Sequence, residues 1–443
     1  MNNLMKIRFA VSVLVLTAGS ICYGQALPAA TSPMSPTTGV NLSSLDGILH
    51  YAVSGSEVIN FGYFGQGQVT NSSVISGDVA YSAKSQVRPF SLLYAGGVVL
   101  PNQSEQSTTY FSSAAVSQGL ITRSWVFNIS DSVSFLPQSP TVGLSGIPGV
   151  GDLGATPVQG PIDGPAGGIL SNSGNRIANS LSGSAERQIN HNTSISGSGG
   201  WSFLRLLEGS DGFDSSTVSA SLAANRRLNA RSSLSVSGGY STFDYGNNGG
   251  GGIAPPTIQN ESLSLSYQRT LSRRLSMSVS IGPQWVSSSN SSLVPSSLSA
   301  GGSAGLSYSR GLTGASLSYS RGINAGSGVL PGSESQNLAA SIGHTYGKKW
   351  MTSASASYGH SAGLARITVQ QSLVDVHEVF DTVVGGVQVT RGFGPHFSGY
   401  ASYSISHQSN KNSLPGLNAF DGTSQSIGFG ISFAPRSTRV GQF

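Results

Sequence analysis

The residues of this chain that could carry chemistry are few and scattered. The segment from Gly149 to Gly154 matches the G-x-G-x-x-G pattern of a dinucleotide-binding loop. Such a loop needs a preceding strand and a following helix, because the helix N-terminus holds the pyrophosphate. Pro148, Pro157 and Pro161 crowd the segment, and no helical pattern follows it. We therefore predict a plain loop here and no cofactor.

Histidine and serine give equally weak signals for a metal site or a hydrolase. The seven histidines are dispersed, and no pair has metal-ligand spacing, which predicts that no metal is bound. Ser406 beside His407, and Asp375 near His377, are the nearest approaches to a catalytic group. Adjacency in sequence is not the geometry of a nucleophile, a base and an orienting group. The sequence thus predicts a protein that is not an enzyme.

The elements that would position any site show a strict period of two. Between residues 259 and 322, Leu263, Leu265 and Tyr267 alternate with serines, and the pattern returns at Leu275 and Met277. This period puts apolar side chains on one face of a strand and serine or glycine on the other. A soluble β-sandwich would bury the apolar face. A membrane barrel would turn it to lipid and keep water inside.

Composition favours the membrane barrel. Only 9% of the residues are charged, whereas typical soluble domains have about 25%. No apolar run after the first 25 residues approaches the roughly 20 residues of a transmembrane helix. Insertion must then use strands, which have to close into a barrel to satisfy their backbone groups.

The N-terminus has the pattern of a secretory signal peptide, which we place at residues 1–26. Lys6 and Arg8 precede an apolar core, and Cys22, the only cysteine, leaves with this segment. Loss of the two cations lowers the net charge from +5 to +3, too little to indicate nucleic-acid binding. A Pro/Ser/Thr-rich spacer (27–45), a barrel (46–434) and a C-terminal tail (435–443) follow. Within the barrel, 136–177 is a Gly/Pro-rich loop or plug.

Loop lengths and charges support an all-β antiparallel transmembrane barrel of about 18 strands, with 16 as the alternative. Short connections alternate with long polar ones, as periplasmic turns and extracellular loops do in outer-membrane barrels. Basic residues cluster at the short turns and would mark the periplasmic rim: Arg187, Arg226, Arg227, Arg269, Arg273, Arg274, Arg310, Lys348, Lys349 and Arg391. Asp131 is an exception within a strand, where a bulge or a change of face would account for it.

The C-terminal strand carries a family resemblance. Ile427, Phe429, Ile431 and Phe433 alternate with small residues, and the chain ends at Phe443. Together with the signal peptide and the alternating strands, this resembles bacterial porin-like outer-membrane β-barrel proteins. The resemblance implies outer-membrane lipid and the barrel-assembly machinery as partners. The GSGVL segment at 326–330 is similar to barrels associated with exopolysaccharide export, which adds envelope export components as candidate partners.

The expected function is a pore for small hydrophilic solutes or for polysaccharide export through the cell outer membrane. In porin-like barrels an inward-folded loop narrows the channel, and the 136–177 loop would carry Asp152 and Asp163 to such a constriction. The alternatives are a surface barrel whose long loops mediate adhesion or binding, and a soluble secreted β-protein. The oligomeric state and the permeant stay open at this point.

Overall fold

A computed structural model describes most of the chain between residues 47 and 440. The described residues are 47–62, 69–83, 85, 87–102, 108–137, 169, 175–207, 213–247, 255–326, 329–347, 349–365, 367–369, 372–374, 378–411, 421–435 and 438–440. The signal peptide and the spacer lie outside these ranges and stay predictions. Within these ranges, no helix is long and apolar enough to cross a membrane.

Twenty-one strands are described, and 18 of them form one antiparallel wall, which confirms the predicted number and excludes 16. In chain order they are β1 (Gly47–Phe61), β2 (Thr70–Ala83), β3 (Phe90–Pro101), β4 (Thr109–Ile121), β5 (Trp125–Pro137), β6 (Asn175–Asn190), β7 (Thr193–Leu206), β8 (Phe213–Asn229), β9 (Ser232–Asn247), β10 (Ile258–Ser272), β11 (Leu275–Ser288), β12 (Ser297–Arg310), β13 (Thr313–Asn324), β14 (Ser333–Tyr346), β15 (Trp350–Gly363), β16 (Ile367–Val369), β17 (Ser372–Val374), β18 (Val379–Gly392), β19 (Phe397–Lys411), β20 (Gly422–Phe433) and β21 (Thr438–Val440).

The wall closes on itself. β1 pairs with β2 on one side and with β20 on the other, so that Val53 lies opposite Phe433. The other wall strands pair with their neighbours in chain order, and β15 pairs directly with β18. β16 and β17 form a separate hairpin, and β21 adds a short strand to the beginning of β1. Closure removes the free edges that an open sheet would expose.

Short and long connections lie on opposite rims, as the sequence predicts. Seven of the eight connections on one rim have two to four residues, and the eighth (84–89) has six. The nine on the other rim have between six and 37 residues. Gly311 and Gly347 occupy tight turns with φ of +56° and +59°, a backbone conformation that glycine adopts at no steric cost. We call the two ends the short-turn rim and the long-loop rim; β1 begins and β20 ends at the short-turn rim.

The two faces of the wall differ throughout. The outward face carries large, well-exposed apolar side chains, such as Leu222 (70% exposed) and Ile281 (63% exposed). Cross-strand partners keep this face continuous, since Leu265 lies opposite Val236 on one neighbour and Ile281 on the other. The inward face carries the serines and glycines between them. The alternation read from the sequence therefore maps directly on to the outside and the inside of the barrel.

The prediction of a bulge or a change of face at Asp131 is wrong. β5 pairs with β6 in one unbroken register from Trp125 to Pro137. Asp131 consequently points outward, on the same face as Trp125 and Phe127, and its Oδ1 accepts a 2.9 Å hydrogen bond from Nδ2 of Asn179. A polar partner on the adjacent strand, and not a change of face, accommodates this carboxylate.

Candidate channel lumen

Hydroxyl groups cover the inward face and bond to one another across the strands. Each bonded pair consists of two serines that lie directly opposite one another on neighbouring strands. The pairs are Ser54–Ser76 (2.6 Å), Ser130–Ser182 (2.8 Å), Ser198–Ser221 (2.7 Å), Ser237–Ser264 (2.6 Å), Ser266–Ser280 (2.9 Å), Ser276–Ser307, Ser316–Ser341 (2.7 Å) and Ser404–Ser426 (2.6 Å). A hydroxyl has one proton and two lone pairs, so each pair keeps acceptor capacity for water or a solute.

The inward face is almost free of charge. By the alternation of the paired strands, its acidic and basic residues on the 18 wall strands are Asp78, Arg176, Glu186 and Arg227. Two are acidic and two are basic, so they balance. From β7 to β15, Arg227 is the single member of this set, and it lies near the short-turn rim. The described lumen is therefore a neutral, hydroxyl-rich surface.

Part of this surface encloses a cavity of about 370 Å³ on the inner side of β5 to β13. Serines from β6 to β13 line it, together with Gln284. Arg321 also borders the cavity, and its charge is paired with that of Glu334. Gln284 is a buried amide that interrupts the serine rows of β11. Its inward position was not singled out in the sequence, although the alternation of β11 would have placed it there.

Apolar side chains gather inside the barrel at the long-loop rim. One cluster joins Phe243, Ile258, Val286, Val294 and Ile323, all at most 2% exposed. They come from the long-loop ends of the strands and from the connection between β11 and β12. These apolar side chains contrast with the hydroxyl-rich middle of the lumen.

A second cluster places Ile169, a residue of the Gly/Pro-rich loop, against the barrel. Ile169 is fully buried against Phe380, Val329 and Leu330. Phe380 belongs to the inward face of β18, and the other two lie in the β13–β14 connection. Ile169 belongs to the predicted 136–177 loop, and this residue packs within the mouth. The predicted constriction residues Asp152 and Asp163 lie outside the described residues, as does the Gly149–Gly154 motif.

The basic residues named from the sequence lie at the short-turn rim, except Lys348, which is outside the described residues. That this rim is periplasmic stays a prediction. Two of them stack on aromatic rings: the Cζ of Arg187 lies 5.5 Å from the ring centre of Trp125, and that of Arg391 lies 4.9 Å from that of Trp350. Aromatic residues also lie towards the opposite rim, as Trp285 does near the long-loop end of β11.

One polar cluster on the outward face was missed by sequence reasoning. Asp381 accepts hydrogen bonds from Tyr358 (2.9 Å) and Lys411 (2.6 Å), and contacts Nδ1 of His360 at 2.8 Å. The four residues come from β15, β18 and β19 near the long-loop rim. Only the pairing register shows that they meet, because no spacing in the sequence joins them.

The serine and histidine considered for catalysis do not meet. Ser406 lies on the inward face of β19 and is buried, whereas His407 lies on the outward face and contacts Oγ1 of Thr423 at 2.8 Å. Asp375 and His377 are outside the described residues. The described residues also contain no group of three metal-ligating side chains that could hold an ion.

The closed, antiparallel wall of 18 strands has the architecture of porin-like outer-membrane β-barrels, which the sequence resembles. Neither a protein-family profile nor a curated protein matches the chain.

Solved structures that align with the barrel are remote in sequence. OpdK, an outer membrane protein of Pseudomonas aeruginosa, aligns at 10% identity and a TM-score of 0.43, covering 89% of this chain and 99% of that chain. OccAB3 of Acinetobacter baumannii aligns at 9% identity and a TM-score of 0.43, covering 88% and 99%. The ferric-catecholate import receptor Fiu of E. coli aligns at 9% identity and a TM-score of 0.39, covering 89% and 82%.

Proposed function

We propose that this protein is an outer-membrane channel for small, uncharged, polyhydroxylated solutes such as sugars. The observation that carries the proposal is the neutral inward face, whose serine pairs run around the barrel. Hydroxyls of the wall can exchange hydrogen bonds with hydroxyls of a solute, while no ring of fixed charge favours an ion. Pores that select ions use rings of charged side chains, and this lumen has none among its described residues.

The outward face supports a membrane location. Leucine, isoleucine and aromatic side chains that are half exposed on every side of the wall would be unfavourable in water and favourable in lipid. The aromatic residues near both rims match the two interfacial belts of such barrels. Outer-membrane lipid is then the surrounding partner, and the last wall strand, ending at Phe433, is the segment that the barrel-assembly machinery would recognise.

The short-turn rim would face the periplasm. A chain delivered from the periplasm needs its strand ends on that side, and both β1 and β20 meet this requirement. The apolar clusters around Phe243 and Phe380 would then lie at the extracellular mouth. They would limit the size of the permeant, because their side chains occupy part of the interior of the barrel at that end.

The experiment is a comparison of neutral and charged solutes of similar size. Proteoliposomes that contain the mature barrel are expected to swell in a neutral monosaccharide or disaccharide faster than in a sugar acid. Planar-bilayer recordings of the same protein should show weak discrimination between chloride and potassium. Strong selectivity for either ion, or faster uptake of the sugar acid, would contradict the neutral channel.

A second function is favoured by the buried contact of Ile169 with Phe380 at the mouth. If the apolar clusters close the barrel completely, the protein would be a surface barrel whose long loops bind an external partner. Swelling assays separate the two, because a closed barrel inserts into vesicles without any solute uptake. Uptake that appears only after removal of 140–168 would indicate that the loop acts as a plug. A neutral polysaccharide shares the chemistry of the small sugars, and its passage would need a conducting mouth as well.

A further inference from the structure

Charge is distributed very unevenly between the two rims. In the part of the chain that the structure describes, the wall strands and turns of the short-turn rim have one acidic residue, Glu186, and twelve basic residues. The basic residues are Arg88, Arg123, Arg187, Arg226, Arg227, Arg231, Arg269, Arg273, Arg274, Arg310, Lys349 and Arg391. The long-loop rim is mixed, and two of its cations pair with acids, Arg321 with Glu334 and Lys411 with Asp381. Among the described residues, the short-turn rim is therefore a strongly cationic belt in which Glu186 is the one acidic residue.

Five of these cations point outward. Arg187, Arg226, Arg269, Arg310 and Arg391 share the face of the large apolar side chains, because each lies at an outward position of its strand. All five are exposed. Within the described residues, none of the five forms an ion pair or a side-chain hydrogen bond. Their guanidinium groups are free to bind a ligand that approaches the outside of the wall.

Aromatic rings fix two of these arginines. Arg187 lies over Trp125, and Arg391 lies over Trp350 and also 5.6 Å from the ring centre of Phe393. Stacking leaves the N–H groups of a guanidinium available, and these form a fork that matches the oxygens of a phosphate group. Amphipathic tryptophan is also the residue that lies at the headgroup level of a bilayer.

The site at Arg187 continues into an apolar groove. Trp125 stacks on Phe127, with ring centres 5.4 Å apart and planes 9° apart, and Phe127 lines the groove. The groove has a volume of about 1340 Å³ on the outward surface. Small residues from β6 and β7, including Ala185 and Gly197, form its floor. Ala185 lies two residues before Arg187 on the same face, so the cation of Arg187 lies next to the apolar groove.

We propose that the outward arginines of the short-turn rim bind the phosphate groups of anionic phospholipids, with Trp125 and Arg187 as the principal site. The phosphate would lie on the Arg187 guanidinium, and an acyl chain would follow Phe127 into the groove. Charge complementarity selects an anionic lipid over a zwitterionic one, whose ammonium group would meet the same cationic belt. This inference rests on the proposed membrane channel.

The test uses the four tryptophans, which divide between the rims. Trp125 and Trp350 lie near the short-turn rim, and Trp201 and Trp285 lie towards the long-loop rim. One variant of the full barrel keeps Trp125 alone and another keeps Trp201 alone, with phenylalanine at the other positions. Each is inserted into phosphatidylcholine vesicles that contain a minor fraction of brominated phosphatidylglycerol or brominated phosphatidylcholine, both of which quench tryptophan on contact.

The expected result is stronger quenching of Trp125 by the anionic lipid, with no preference at Trp201. The Arg187→Gln substitution should lower the relative affinity of phosphatidylglycerol at Trp125 about fivefold, as expected for one cation near an anionic membrane surface. Arg187→Lys should retain most of the preference. Arg205 provides the matched control, because it lies 5.6 Å from the ring centre of Phe203 at the opposite rim. Arg205→Gln should leave Trp125 unchanged.

Equal quenching of Trp125 by the two lipids, or equal losses in Arg187→Gln and Arg205→Gln, would overturn the inference. Inorganic phosphate is compared with chloride at equal ionic strength, and displacement of the lipid by phosphate alone would assign the site to a free anion instead. If a single-tryptophan variant does not fold, the number of phosphatidylglycerol molecules retained by the wild type and by Arg187→Gln in native mass spectrometry gives the same comparison. Solute uptake measured in the same vesicles distinguishes the channel proposal from the lipid-site proposal. A barrel that conducts solutes but shows no lipid preference refutes only the lipid site.

Discussion

Adjacent residues in the middle of β10 should respond in opposite ways to the same substitution. Leu265 points outward and is 49% exposed, and Ser266 points inward, where it donates a 2.9 Å hydrogen bond to Ser280. Leu265 is the central residue of a 15-residue strand. At about 3.4 Å per residue and a tilt of about 40°, the nearest rim lies roughly 18 Å away along the barrel axis. An arginine at 265 therefore cannot carry its charge out of an apolar band about 25 Å tall without distorting it.

We expect Leu265→Arg to lower the free energy of unfolding by about 2–4 kcal/mol, which is the cost of arginine at the lipid-facing midplane of a barrel. Ser266→Arg should lower it by only about 1 kcal/mol, because it removes one hydrogen bond while its charge stays in the aqueous lumen. Ser266→Arg should also reduce the conductance and shift the selectivity towards anions.

The assay is reversible unfolding in urea in the presence of phosphatidylcholine vesicles, followed by tryptophan fluorescence and by heat-modifiable mobility on gels. Both variants are compared with the wild type in one lipid preparation, so that the difference between two adjacent positions is measured directly. Equal costs at 265 and 266 would mean that the faces are not lipid and water. A larger cost at 266 would mean that the faces are reversed, and either result would refute the reasoning.

Three further predictions concern the mouth, the wall and the outward carboxylate. Phe380→Ala should raise the conductance by opening the apolar cluster at the mouth, whereas Phe429→Ala on the outward face should not, as single-channel recordings would show. Gly282→Ala should destabilise the barrel by about 1–3 kcal/mol, because a Cβ there would overlap a backbone oxygen of β10; Gly314→Ala, where a Cβ meets open space, should be neutral or stabilising in the same urea assay. Asp131→Asn should raise the free energy of unfolding by roughly 1 kcal/mol, since it removes a charge from the outward face; a loss of stability would indicate that the charge is needed there.

The wall could be predicted from the sequence because its two faces differ so strongly. Serine or glycine alternates with leucine, isoleucine or an aromatic residue over a dozen or more positions, and a shift by one residue would turn every apolar side chain inward. The same alternation correctly put Asp131 on the outward face, so the suspected bulge added an irregularity that the strand does not contain. The tight turns could be predicted because charged residues and glycine separate two alternating segments, as at Gly311.

The rest depended on contacts that no local pattern encodes. The β16–β17 hairpin and β21 are three-residue strands, too short to show a period. The meeting of Asp381 with His360 and Lys411 needs the registers of three strands. The burial of Ile169 against Phe380 joins residues more than 200 positions apart in the chain. The outward groove forms where small residues of several neighbouring strands lie opposite one another, which depends on the pairing register.

The alternation of water access along β10 tests the central claim most directly. The chain has one cysteine, Cys22, in the predicted signal peptide, so single cysteines can be introduced at positions 262 to 266 of an otherwise cysteine-free mature barrel. In vesicles, a membrane-impermeant maleimide should react with cysteine at Ser262, Ser264 and Ser266 and not at Leu263 or Leu265. Equal reaction at all five positions, or reaction at the leucine positions alone, would contradict a barrel with lipid outside and a hydroxyl-lined aqueous lumen inside.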